Sequence, residues 1–179
     1  MKVLIIGENK TSYSKILDYY KEYISNNCEI YTLDFKDADY NVDFNQPFSC
    51  DKQFDLIIMN NVLEHIYNVG VALMNCLTNL KKGGRLIIRT DNALYLPYYL
   101  PIKSKFLAKL FGVGYHSTNL AKEIWNENHY HIFTKNHLIN LLKKFDFQIE
   151  KVMYGIWKYK IKKIIIPIAP RILIIARKP

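Results

Sequence analysis

The sequence predicts one α/β domain in which helices cover both faces of a mostly parallel β-sheet. Apolar runs typical of buried strands alternate with stretches of helical periodicity up to residue 145, which is the order expected for a parallel sheet. Polar residues follow several of these runs, at the strand ends where such sheets bind ligands. The length of 179 residues suits one domain with a sizeable core and is short for two. The predicted domain therefore spans residues 1–179.

Seven apolar runs predict the strands of this sheet. Residues 3–6 form a continuous apolar run that ends at Gly7, which is typical of a buried parallel strand. Residues 54–59 predict the most deeply buried strand of the set. The other predicted strands cover residues 29–33, 40–42, 85–89, 147–153 and 172–176.

Three stretches place apolar residues at the spacing of an α-helix. The first is preceded by Ser12 and Ser14, either of which is a suitable N-cap. Two lysines and then Gly83 and Gly84 follow the second, as expected at a helix C-terminus. Thr134 is the predicted N-cap of the third. The three apolar stripes are Ile16, Leu17, Tyr20 and Ile24; Leu73, Met74, Leu77 and Leu80; and Leu138, Leu141, Leu142 and Phe145.

Charge is divided unevenly along the chain. Residues 1–80 carry 6 Lys/Arg and 11 Asp/Glu, a net charge of −5, whereas residues 81–179 carry 19 and 5, a net charge of +14. This excess predicts an anionic partner such as a phosphorylated metabolite, a nucleic acid or a lipid headgroup; solubility is the other interpretation. The basic stretch 158–163 is interpreted as a solvated connector between the last two strands, or as a contact with a membrane surface or nucleic acid.

The cysteines and the chain ends favour a reducing compartment. Three widely spaced cysteines without a CxxC pair argue against a disulfide framework or a thiolate zinc site. No secretory signal is recognisable after Met1, and two prolines and an arginine interrupt the apolar stretch 164–176. We therefore expect a cytoplasmic protein without a transmembrane segment, and the sequence predicts no particular oligomeric state.

Asp34 follows the second predicted strand and lies 27 residues after Gly7. An acidic residue at this point of a nucleotide-binding sheet usually accepts hydrogen bonds from ribose hydroxyls, although it can also cap a helix. Gly7 is followed by Glu8 and Asn9 rather than by the glycines of a dinucleotide fingerprint, and no P-loop motif occurs. The sequence thus predicts a nucleoside site without a diphosphate cradle.

Residues 54–66, FDLIIMNNVLEHI, resemble the central segment of class I S-adenosylmethionine-dependent methyltransferases, in particular the type 11 group that includes the ubiquinone-biosynthesis enzymes. Residues 80–89, LKKGGRLIIR, are similar to that family's Pro-Gly-Gly segment, with lysine in place of proline. Residues 129–134, HYHIFT, and the leucine-striped helix after them are similar to its C-terminal block. The resemblance covers roughly residues 2–90 and 129–155.

The resemblance implies a Rossmann-like three-layer sandwich with a seven-stranded sheet, an antiparallel last strand and S-adenosylmethionine bound across the carboxyl ends of the strands. The cofactor contacts that it implies are Gly7, Glu8 and Asn9 beneath the methionine moiety, Asp34 and Phe35 at the ribose and adenine, Asp43 and Phe44 at the adenine amino group, and Asn60 and Asn61 near the sulfonium.

The loop after the first strand departs from the family pattern. That pattern reads acidic-x-Gly-x-Gly-x-Gly, and the four positions hold Ile5, Gly7, Asn9 and Thr11. We expect Asn9 to keep the turn, because asparagine tolerates positive φ better than other residues with a side chain. The departure supports an alternative in which the chain is a catalytically silent binding or scaffold protein.

Methyl transfer to a hydroxyl group needs a base, and His65 is the predicted one, because the pKa of an imidazole lies near neutral pH. Capping of a short helix is the other interpretation of His65. Glu64, His129 and His131 also carry ligand-type side chains. No metal is expected, because Asn61 stands where some metal-assisted relatives have a glutamate.

The aromatic-rich insert at residues 92–128 is predicted to form a lid over the active site, with a short helix near 103–111. The predicted function is methyl transfer from S-adenosylmethionine to an acceptor that the sequence does not identify. A small-molecule or glycan hydroxyl is the expected acceptor, and an anionic molecule is the next candidate. A nucleic-acid methyltransferase that uses the basic C-terminal half is a further alternative.

Overall fold

The structure, a computed structural model, describes residues 1–96, 129–156, 159–161 and 169–179. Eight strands and three α-helices are described, together with two short 3₁₀-helices, Lys21–Tyr23 and Leu63–His65. The elements in chain order are β1 (Lys2–Ile6), α1 (Ser14–Tyr20), β2 (Glu29–Asp34), β3 (Tyr40–Asn41), β4 (Phe54–Asn60), α2 (Val69–Asn79), β5 (Leu80–Asp91), α3 (Lys135–Lys144), β6 (Gln148–Ile156), β7 (Tyr159–Ile161) and β8 (Arg171–Arg177).

The strands form one sheet in the order β3-β2-β1-β4-β5-β8-β6-β7. The five strands from β3 to β5 run parallel, and β8 lies antiparallel between β5 and β6. In the register of β1, Ile5 pairs with Thr32 on one side and Ile58 on the other. The strand order reverses at β1, so the carboxyl ends of β1, β2 and β4 border the crevice where such sheets bind ligands.

The sheet separates two apolar layers, and β4 shows why. Because alternate side chains of a strand point to opposite faces, Leu56 and Ile58 pack with α1, whereas Ile57 and Met59 pack with α2 and α3. The helix side chains buried in these layers are Ile16 and Tyr20 of α1, Leu73 and Cys76 of α2, and Leu138 and Leu142 of α3. This arrangement confirms the predicted three-layer α/β sandwich.

The sheet has one strand more than predicted. All seven predicted strands are present, and β7 adds an eighth by pairing antiparallel with β6, for example Tyr154 with Ile161. β7 lies within residues 158–163, which were predicted to form a connector. It pairs with the outer edge of β6, whose backbone groups would otherwise lack strand partners. Most of the predicted lid, including its helix near 103–111, lies outside the described residues. Within the described ranges no helix combines the length and apolar character needed to cross a bilayer.

Two predicted helix ends are wrong. The N-cap of α1 is Tyr13, without a capping side chain, because the Ser12 hydroxyl is bonded to Glu8 in the preceding loop and Ser14 is already helical. Helix α2 ends at Asn79 and not at the glycines, because the chain from Leu80 onward is extended and joins β5.

The predicted N-cap of α3 is confirmed, since the Thr134 hydroxyl accepts a hydrogen bond of 3.1 Å from the His137 N–H. We expect Thr134→Ala to lower the free energy of unfolding by about 1 kcal/mol, because that N–H loses its partner. Thr134→Ser keeps the hydroxyl and should change it little. Urea unfolding followed by circular dichroism measures both variants, and equal losses would contradict the capping role.

Candidate functional site

A cavity opens at the carboxyl ends of β1 and β2, beside the point where the strand order reverses. Its empty volume is about 390 Å³, including the part open to solvent. Apolar side chains form most of its wall. The predicted site residues that line it are Gly7, Asp34, Phe35, Phe44 and His65. The structure thus brings together half of the ten residues predicted from the sequence.

Gly7 begins the loop after β1 in a conformation that requires glycine. Its φ is +79°, in the left-handed region, and its N–H donates a 2.8 Å hydrogen bond to the carbonyl of Leu33. A Cβ atom at this position would overlap a methyl group of Val62. Val62, which the sequence did not single out, therefore packs directly against the loop and lines the same cavity.

Glu8 and Asn9 hold the loop together from within and do not line the cavity. The Asn9 side-chain oxygen accepts hydrogen bonds from the N–H of Thr11 at 3.0 Å and of Ser12 at 3.1 Å. The Glu8 carboxylate accepts a bond from the Ser12 hydroxyl. Asn9 has no positive φ, so the expectation that it keeps a left-handed turn is wrong. Its side chain shapes the loop instead, by closing an Asx turn.

Asp34 and Phe35 border the cavity at the end of β2. The Asp34 carboxylate accepts a 2.7 Å hydrogen bond from the N–H of Phe35, which orients it. Phe35 is 72% exposed, the highest value among the exposed large apolar residues that the structure describes. A carboxylate beside an uncovered aromatic ring can accept hydrogen bonds from a diol and stack against a flat ring.

The turn after β3 places Phe44 and Asn45 in the cavity wall, and Asp43 outside it. The Asp43 carboxylate accepts hydrogen bonds from the backbone N–H and the side-chain amide of Asn45, at 2.9 and 2.8 Å. Asp43 therefore orders the turn. Asn45 presents the polar side chain at this part of the wall, and nothing in its sequence position distinguished it from its neighbours.

Asn60 ends β4 and Asn61 follows it, but neither residue lines the cavity. The Asn60 side-chain oxygen accepts hydrogen bonds from the Tyr20 hydroxyl at 2.9 Å and from Arg89 at 3.2 Å, on the α1 side of the sheet. Asn61 has a φ of +56°, and its N–H donates to the carbonyl of Arg89. Its side-chain oxygen is buried and accepts no hydrogen bond from the described residues. The predicted placement of both residues near the sulfonium stays a prediction.

Two histidines and a glutamate meet beside the cavity, where β4 and β5 end. Ligand-type atoms of Glu64, His65 and His129 lie within 4.8 Å of one another. The imidazole rings of His65 and His129 meet edge to face, with centroids 4.4 Å apart. A divalent metal ion is the group that this set of side chains could hold.

Backbone hydrogen bonds hold the segment that carries His129 and His131 beside Glu64. The N–H groups of Tyr130 and His131 donate to the carbonyl of Glu64, at 2.8 and 3.3 Å, which fastens this segment to the 3₁₀-helix Leu63–His65. The His131 ring instead lies with its Nε2 3.2 Å from the carbonyl oxygen of Tyr67.

Two buried carboxylates lie behind the histidines. Glu64 is 1% exposed and accepts a 2.8 Å hydrogen bond from the Thr90 hydroxyl, and Asp91 is 6% exposed and contacts the Arg171 guanidinium. The second Asp91 oxygen lies 3.8 Å from Nδ1 of His129. Burial, reinforced by the negative charge of Asp91, raises the pKa of Glu64 to about 7, against the opposing effects of Thr90 and Arg171.

Sequence reasoning did not find this carboxylate pair or its arginine. Asp91 and Arg171 are 80 residues apart in the chain, and only the antiparallel pairing of β5 with β8 sets them opposite each other. Each of the two residues lies at an end of a predicted strand, and this position was the available signal. It could not be used, because the sequence does not show which strand the last strand pairs with.

The sequence profile described as "Methyltransferase domain" matches residues 15–152. The chain belongs to this methyltransferase domain family. The match confirms the resemblance carried by the segments 54–66, 80–89 and 129–134. The matched range starts after the loop that differs from the family pattern. It includes Asp34, the 3₁₀-helix Leu63–His65 and His129. No curated protein sequence matches the chain.

Solved methyltransferases share the fold of this methyltransferase domain. An S-adenosylmethionine-dependent methyltransferase from Mesorhizobium loti is 14% identical, with a TM-score of 0.64 over 99% of this chain and 90% of that one. N-methyltransferase NodS from Bradyrhizobium japonicum WM9 is 15% identical, with a TM-score of 0.57 over 99% and 85%. An enzyme described as a SAM-dependent methyltransferase from Archaeoglobus fulgidus is 16% identical, with a TM-score of 0.60 over 99% and 86%. At such identities the likeness shows the fold alone.

Proposed function

We propose that this methyltransferase domain transfers a methyl group from S-adenosylmethionine to a hydroxyl group of a small molecule or glycan. The observation that carries the proposal is the cavity in which Gly7, Asp34 and the exposed ring of Phe35 lie together. A carboxylate suits a ribose diol and an uncovered aromatic ring suits adenine, and S-adenosylmethionine contains both groups. NodS, which has a similar fold, has been crystallised with S-adenosyl-L-homocysteine, and this supports the same donor here.

The reaction asks little of the protein, because the sulfonium is already activated and in-line attack depends mainly on positioning. The acceptor oxygen forms a bond to the methyl carbon, the carbon–sulfur bond breaks, and its electron pair stays on sulfur. The hydroxyl proton passes to His65, whose exposed side chain lines the cavity. An anionic acceptor is the next candidate, on the charge of residues 81–179.

A catalytically silent binding or scaffold protein is the second candidate. It is favoured by the loop after β1, where Ile5 replaces the acidic residue of the family pattern and Glu8 and Asn9 bond within the loop rather than lining the cavity. Nucleic-acid methylation and a cytoplasmic location stay predictions from the sequence.

Calorimetric titration with S-adenosylmethionine and S-adenosylhomocysteine tests the proposal. We expect micromolar binding of either ligand to the wild-type protein. Asp34→Ala should weaken it by about 10–100-fold, because hydrogen bonds to a charged group contribute about 1.5–3 kcal/mol.

Asp18→Ala is the matched control, because Asp18 is an exposed carboxylate on α1 that does not line the cavity. Its affinity should equal that of the wild type. A folded wild-type protein that releases no heat up to millimolar ligand would contradict the enzyme proposal and favour the silent scaffold.

A further inference from the structure

We infer that Glu64, His65 and His129 form a binding site for one divalent transition-metal cation beside the cavity. One carboxylate oxygen and two imidazole nitrogens lie within 4.8 Å of one another. This donor set is typical of catalytic zinc sites, which keep a further position for water or substrate. The expectation that no metal binds rested on Asn61 in place of a glutamate, and the three side chains form such a set without residue 61.

The spacing of the cluster is close to that of a loaded site. Ligand atoms about 2.1 Å from a tetrahedral cation lie roughly 3.4 Å from each other, so atoms within 4.8 Å of one another must approach by at most about 1.4 Å. His65 is the exposed member and its ring can turn with the least repacking. The backbone around the other ligands is fixed, because the N–H of Tyr130 donates to the carbonyl of Glu64.

The surroundings of the cluster orient its ligands. In protein metal sites the imidazole nitrogen that does not bind the cation usually donates to a carboxylate, and ligating carboxylates are themselves hydrogen-bonded. Here the carboxylate beside Nδ1 of His129 is Asp91, at 3.8 Å, which is longer than a hydrogen bond. The Thr90 hydroxyl donates to one oxygen of Glu64, at 2.8 Å.

The two buried carboxylates of the site also favour binding of a cation. Glu64 and Asp91 are both almost fully buried, and the Arg171 guanidinium contacts Asp91. Burial of a carboxylate is costly unless an opposite charge or a proton compensates it. A divalent cation on Glu64 supplies that charge. Two imidazole ligands favour zinc, cobalt or nickel over magnesium or calcium, which prefer oxygen ligands.

The catalytic role of the cation rests on the proposed function. An acceptor hydroxyl bound at the open position would lose its proton more readily, because a divalent cation lowers the pKa of oxygen ligands. His65 is then a ligand, and the proton passes to solvent water instead. The oxygen forms its bond to the methyl carbon, and the electrons of the broken carbon–sulfur bond stay on sulfur, as in the metal-free reaction.

Cobalt(II) titration of chelator-treated protein without a polyhistidine tag tests the site directly. We expect visible d–d absorption that saturates at one equivalent, and zinc should displace the cobalt. Glu64→Gln, which keeps the shape of the side chain, and His129→Asn should each weaken binding by more than about 100-fold, because outer-shell substitutions alone cost about 10–100-fold. Asp91→Asn should fall in that 10–100-fold range.

His137→Asn is the matched control, because His137 is an exposed histidine on α3 outside the cluster. Its cobalt affinity should equal that of the wild type. Absence of saturable absorption, or equal binding by all of the variants, would overturn the inference. Titration with S-adenosylhomocysteine in the presence of chelator separates the two proposals. If no S-adenosylhomocysteine binds, the proposed methyl donor is contradicted, but the proposed metal site is not.

Discussion

Replacing Gly7 with alanine is expected to lower the free energy of unfolding by about 2–5 kcal/mol and to abolish most of the affinity for S-adenosylhomocysteine. The backbone contributes about 1–2 kcal/mol, because residues with a Cβ atom are strained at a φ of +79°. Overlap of the new Cβ with Val62 contributes a further 1–3 kcal/mol or so. Urea unfolding and calorimetric titration measure the two effects.

Two further variants separate strain from overlap. Gly83 also has a positive φ, of +74°, but no atom lies within 4 Å of a Cβ placed there, so Gly83→Ala should show the backbone cost alone. Val62→Ala in the Gly7→Ala background removes the overlap and should restore about half of the lost stability. If Gly7→Ala costs no more than Gly83→Ala, the packing of Val62 against the loop is not as described.

Glu64 should make the metal-free protein less stable as the pH rises from about 4.5 to about 7. The pKa of Glu64 is about 7 in the folded protein and 4.5 in an unperturbed chain, so the folded state binds more protons within this window. The free energy of unfolding therefore falls as the pH rises, by up to about 3.5 kcal/mol at about 1.4 kcal/mol per pKa unit. The free energy of unfolding of Glu64→Gln should not fall over this pH range, and at pH 8 it should exceed that of the wild type.

Urea unfolding between pH 4.5 and 8, with a chelator present, measures the effect. Glu150→Gln is the contrasting variant. Although partial burial acts to raise the pKa of Glu150, hydrogen bonds from Arg177 and Arg85 outweigh it and lower that pKa. Removing the Glu150 carboxylate should therefore reduce stability at pH 8. Identical pH profiles for wild type and Glu64→Gln would contradict the placement of Glu64 beside Asp91 in the interior.

The sheet and its helices could be predicted because their signals are local. A continuous apolar run such as residues 3–6 is buried on both faces, and a helical stripe such as that of α3 needs one apolar side, whatever its neighbours are. The errors fall at element ends. From the sequence, Leu80 could end a helix or begin a strand. In the structure it pairs with Phe54 of β4 and therefore begins a strand.

The cavity was predicted in the same way, in part. Gly7 and Asp34 follow strands, and parallel strands bring their carboxyl ends to one edge of the sheet. Asp43 also follows a strand, but its carboxylate is occupied by Asn45, a contact between side chain and turn that periodicity does not encode. For the same reason the sequence could not show that Asn9 acts through its side chain rather than its φ.

The sequence by itself determined the fold class, the family and the edge of the sheet at which the cavity opens, because each depends on patterns within one segment and on the order of segments. Only the tertiary structure decided the surroundings of the reactive side chains. Asp91 meets Arg171 through the pairing of β5 with β8, and His129 meets Glu64 through backbone bonds across some 65 residues. Burial and charge act through space, so the pKa of Glu64 follows from neighbours that are distant in the chain.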